Sequence, residues 1–141
     1  MSAHTASSDD LCYRDAFEAG RIEPDRFGHR EHILLAYVYL IEGDSDSATE
    51  RMRDAILGFL ERRGLDTSKF HETLTRAWIL AVRHFMSLTP RTESADALIE
   101  SNPSMLDSRI MLTHYSAERL FSDEARAGFI EPDLDEIPSA G

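Results

Sequence analysis

The stretch Ile33-Leu-Leu-Ala-Tyr-Val-Tyr-Leu-Ile41 is apolar on every side of any helix it forms. It is too short to cross a bilayer, which takes about 20 residues in a helix. Such a segment has to be covered by protein all round. It predicts a helix over roughly 29–42 through the middle of a bundle, and the rest of the chain has to supply the cover.

The flanking sequence reads as that cover. Leu11, Tyr13, Ala16 and Phe17 mark the inner face of a first helix, capped by Asp9 or Asp10 and ended by Gly20. Pro24 interrupts the connection. Ser47 and Glu50 have capping-box spacing ahead of a third helix with Met52, Ala55, Ile56, Phe59 and Leu60 inward. Ser68 and Glu72 suggest a second box before a fourth helix, striped by Leu74, Ala77, Trp78, Ala81, Val82 and Phe85 and stopped at Thr89-Pro90. Shorter helical pieces follow over about 93–101, 104–114 and 116–128. No alternating strand pattern or hairpin turn interrupts them. The reading is an all-α helical bundle of about four main helices with short C-terminal helices. One helical domain spans 9–130. Residues 1–8 are expected to be disordered, and 131–141 to form an acidic irregular tail.

Charge and cysteine content narrow the function classes. The net charge of −11 repels phosphate backbones and anionic membranes, so neither nucleic acid nor membrane is an expected partner. Cys12, the single cysteine, permits no intrachain disulfide and reads as a small core residue. The first residues lack the basic start and apolar core of a signal peptide, and a cytoplasmic location is expected. Neither a G-x-S-x-G nor a G-x-x-x-x-G-K motif occurs, which leaves serine-hydrolase and P-loop chemistry without local support.

The histidines are the residues that could carry chemistry. His29 and His32 stand three apart at the start of the central helix and share one of its faces. The positive end of the helix dipole favours a neutral, metal-ligating ring there. His71 opens the fourth helix, with Thr75 and Trp78 on its face. In an up-down bundle the second and fourth helices run the same way, so their starts meet at one end. His84, near the far end of the fourth helix, is excluded from that meeting, and His4 is set aside as part of the frayed terminus. On this reading His29, His32 and His71 ligate a divalent transition metal (zinc, iron, nickel or copper). Glu72 is then the general base, a hydrogen-bond partner of a ligating ring or a fourth ligand, and water takes the open position of a metal-dependent hydrolase or oxygenase.

The motifs F-x-H-x-x-H (Phe27, His29, His32) and H-E-T-x-T (His71, Glu72, Thr73, Thr75) are followed by Tyr115, Ser116, Leu120, Ser122, Ala125 and Arg126. Together they resemble a group of small bacterial helical proteins to which no activity is attached. The likeness covers 27–40, 70–80 and 115–133. It implies a recurrent bacterial domain and assigns no role to any of these residues.

Two other readings compete with the metal site. In one, the histidine-bearing helix starts line a metal-free pocket for a small organic ligand, with Thr75, Tyr37, Tyr39, Trp78 and Tyr115 in its walls. In the other, the apolar second helix is the core of a homodimer and the protein is structural. Bound metal separates the first reading from both of these.

Overall fold

The apolar segment is the axis of the structure. The computed structural model describes residues 4–138, and they contain helices and no strand. The main helices are α1 (Ser8–Glu18), α2 (His29–Glu42), α3 (Ser45–Arg62) and α4 (Glu72–Leu88). Shorter helices follow: α5 (Ala95–Ser101), α6 (Ala117–Leu120) and α7 (Asp123–Ala127). Short 3-10 stretches at Pro24–Arg26, Thr67–Lys69, Pro103–Leu106 and Ser108–Thr113 join them. The all-α bundle read from the sequence is the fold.

Helix α2 packs against α1, α3, α4 and α5. Ile33, Leu35, Ala36, Tyr37, Val38 and Tyr39 are each at most 1% exposed. Around them lie Phe17, Met52, Phe59, Trp78, Ile79, Val82 and Leu98. The two buried tyrosines keep their hydroxyls satisfied, as burial requires. Tyr37 donates to the Thr5 carbonyl at 2.6 Å, and Tyr39 to Glu18 Oε2 at 2.5 Å. Cys12 is exposed, not the core residue its neighbours suggested.

Helix starts differ from the sequence reading in an instructive way. Ser7, not Asp9 or Asp10, caps α1 through Asp10 N–H at 3.0 Å. Asp10 is 4% exposed because its carboxylate does a second job, accepting from Ala95 N–H at 2.9 Å and fixing the start of α5. Asp44 caps α3 by accepting from Ser47 N–H at 2.8 Å, so the helix begins ahead of the expected Ser47–Glu50 box. Gly20 follows α1 at φ +76°, a left-handed value that glycine adopts without penalty.

Both chain ends are tied down where they are described. His4 is buried, with Nε2–H donating to the Met86 carbonyl at 2.7 Å and Nδ1 at 2.6 Å from Thr92 Oγ1. Residues 1–3 and 139–141, the outer parts of the expected disordered start and irregular tail, lie outside the described residues. Residues 131–138 are irregular but attached: Leu134 N–H donates to the His114 carbonyl at 2.9 Å, and Asp133 accepts from Ser116 N–H at 2.8 Å. Among the described residues no helix is long and apolar enough to cross a membrane.

Because Leu35 is fully buried on the helix that four others pack against, Leu35→Ala is expected to cost about 2–5 kcal/mol. Chemical denaturation measures it, and a loss below about 1 kcal/mol would mean that α2 is not the axis of the core.

Candidate ligand cleft

The start of α4 is held by an imidazole. His71 is the N-cap, and its Nδ1 accepts from Leu74 N–H at 3.1 Å. That role usually falls to a short oxygen side chain. The same ring's Nε2 donates to the Leu120 carbonyl at 2.7 Å. A carbonyl can only accept and an amide N–H can only donate, so the ring is neutral with its proton on Nε2. Burial holds its pKa below the ordinary value, and Arg126 acts the same way, against the Leu120 carbonyl.

The other residues of H-E-T-x-T continue the attachment. Thr73 Oγ1 donates to the Gly128 carbonyl at 2.8 Å and accepts from Ile130 N–H at 3.2 Å. Thr75 Oγ1 donates back to the His71 carbonyl at 2.8 Å. These bonds lay α6, α7 and the following loop along the first turns of α4.

The start of α2 is built differently. Gly28 precedes it, and Gly28 N–H donates to Glu31 Oε1 at 2.8 Å. His29 Nε2 donates to the Met105 carbonyl at 2.9 Å, and its ring meets Trp78 edge-on with centroids 4.5 Å apart. His32, one turn further in, is half-buried, but its Nε2 is withdrawn from solvent and has no hydrogen-bond partner. Burial, helped by His29, brings its pKa down to about 4.

Two cavities adjoin this ring and share His29, His32 and Leu74. One, of about 320 Å³, is bounded by Trp78, Leu112, Leu120 and Phe121, with Ser108 and Arg109 at its rim. The other, of about 400 Å³, is bounded by Phe27, Ile56, Leu60 and Phe70, with Gly28, His71 and Thr75. The starts of α2 and α4 therefore lie at the same end of the bundle, and His29, His32, His71, Thr75 and Trp78 share one region. Phe70, Leu74, Leu120 and Phe121 complete the walls. Leu74 carried a signal, since it sits on the α4 stripe beside His71. Leu112, Leu120 and Phe121 carried none as wall residues, because they arrive on short pieces; Leu120 and Phe121 come with α6, which the His71 bond docks on the start of α4.

The metal centre is overturned. Among the described residues no group of three His, Cys, Asp or Glu side chains is placed to hold a metal ion. The reason lies in the rings. Both nitrogens of His71 and one of His29 already bond to the backbone, which leaves His29 and His32 as the rings with a nitrogen to offer, short of three ligands. The zinc, iron, nickel or copper cofactor and its activated water fall with the cluster. Glu72 is not placed as a base either: Arg53 grips both its oxygens, at 2.7 and 2.6 Å. Tyr37 and Tyr115 line neither cavity. Tyr37 is spent on Thr5 and Thr92, and Tyr115 donates to the Ile130 carbonyl at 2.7 Å. His84 also lines neither, and its Nδ1 is buried without a partner.

Comparison of the chain with protein families, with curated proteins and with solved structures found no match.

The depressed pKa of His32 links its burial to stability. Below the ordinary histidine value, about 6.5, the unfolded chain takes up a proton that the folded ring refuses until about pH 4. The contribution is present above that range and is lost as pH falls through it. From about pH 7.5 to about pH 5, His32→Leu should lose roughly 1–2 kcal/mol less stability than the wild type. Parallel losses in urea titrations at the two pH values would place His32 in water.

Proposed function

We propose that the chain is a metal-free binding protein for a small, mostly apolar molecule seated in the cleft between the starts of α2 and α4. One observation carries the reading: two adjoining, mostly apolar cavities that share His29, His32 and Leu74 where the starts of α2 and α4 meet. Concave, mostly apolar walls with a few polar groups are the usual make-up of a small-molecule site.

The neighbouring imidazoles support binding over acid–base catalysis. A ring with a pKa near 4 is a weak base at neutral pH, far from the match that proton transfer favours. His71 is tied at both nitrogens: it cannot take a proton at Nδ1 without breaking the α4 cap, nor release the one on Nε2 without losing the Leu120 carbonyl. His29, His32 and His71 then shape the walls.

The neutral fluorescent probe N-phenyl-1-naphthylamine tests the cleft as a site. Its emission should rise saturably, with one site per chain. Leu74→Trp, which fills the wall shared by both cavities, should weaken it by at least about tenfold while the helical circular dichroism stays. Absence of saturable binding to the wild type, or equal binding to a folded Leu74→Trp protein, would sink the proposal.

A further inference from the structure

The cleft is divided, and few side chains make the divide. At the start of α4, Phe70 and His71 line the cavity of about 400 Å³. Trp78, two turns on from His71, lines the one of about 320 Å³. Leu74 stands one turn from each and lines both. His29 and His32 reach the same divide from α2. The cavities therefore follow one another along the first turns of α4, and Leu74 lies where they meet.

Leu74 is held in that place. Its N–H donates to His71 Nδ1 at 3.1 Å, which ties its backbone into the capped first turn. Its side chain carries no polar group, so shortening it strands no partner. Each cavity lies at the small end of ordinary ligand pockets, which run to about 1,000 Å³. Among the described residues lining them, Arg109 is the one with a permanently charged side chain. It stands at the rim, 83% exposed, and is paired with Asp107 at 3.0 Å. A charged occupant would lose its water here with no buried counter-charge, which is costly.

Building on the binding function proposed above, we infer that Leu74 sets which molecules the cleft takes. Compact, uncharged, apolar compounds that fill one cavity are accepted, and rigid rods long enough to need both are refused. A straight rod laid from Phe70 to Trp78 has to pass through the space of the Leu74 side chain. A rigid ligand cannot bend around that side chain. Leu74 can yield only by leaving its rotamer or by moving a turn that the His71 cap holds, and either costs free energy. A compact or bent molecule meets no such obstacle.

Two neutral probes that fluoresce on leaving water make the comparison. N-phenyl-1-naphthylamine has two ring systems that turn about one nitrogen. Diphenylhexatriene is a rigid rod. The wild type should bind the rod at least about tenfold more weakly than the amine. Leu74→Ala should tighten the rod by at least about tenfold and leave the amine within about threefold. Leu112→Ala, which enlarges the cavity beside Trp78 without touching the divide, should leave the ratio of the two within about threefold. A wild type that binds both probes alike would overturn the inference and leave the binding function standing. So would an unchanged ratio in Leu74→Ala, or an equal gain for the rod in Leu112→Ala. Failure of the wild type to bind the amine would instead remove the binding function itself. If Leu74→Ala loses its helical circular dichroism, Leu74→Val decides: the rod should gain at least about threefold over the amine, and no gain counts against the inference.

Discussion

The His71 ring joins the start of α4 to the C-terminal helices. Its Nδ1 closes the first turn of α4 by accepting from Leu74 N–H, and its Nε2–H holds the carbonyl that ends α6. Thr73 extends the seam to Gly128 and Ile130. Without this seam the C-terminal pieces are too short to be stable helices, since isolated helices of a few residues do not repay their nucleation. With it they become the outer wall of a cleft, carrying Leu120 and Phe121 to the side of Trp78. A ring used in this way cannot also ligate a metal, because both of its nitrogens are taken.

The same logic divides labour among the three imidazoles at this end of the bundle. His71 is structural. His29 is partly so, held by the Met105 carbonyl and packed on Trp78. His32 is the exception, its Nε2 closed to solvent and without a hydrogen-bond partner. The acidic surface that dominates the composition plays no part in the cleft, whose lining holds a single, paired, exposed arginine.

Much of the fold was legible because α2 left few options. An all-apolar segment too short for a membrane needs neighbours on every side, and the stripes of α1, α3 and α4 supplied them. The convergence of the α2 and α4 starts was also legible, from helix order alone. Cap identity was not. Asp44 and Ser7 won over the expected residues by local geometry, and an imidazole capping α4 breaks the usual preference for short oxygen side chains. That last substitution misled the chemistry. A histidine one turn before Thr75 and two before Trp78 looked like a ligand, whereas it was completing a helix. Glu72 misled likewise, since spacing says nothing of Arg53 waiting on α3. The His32 orphan was beyond sequence reasoning, because a missing partner shows only when every neighbour has been placed.

The account turns on how the protons are distributed among these rings, and a pH titration of the histidine side-chain nitrogens by nuclear magnetic resonance reads this directly. His71 should appear as one neutral tautomer, its proton fixed on Nε2. His32 should stay neutral until the pH approaches about 4. A His32 ring that titrates near the ordinary value of about 6.5, together with a His71 ring that exchanges freely between tautomers, would contradict the account.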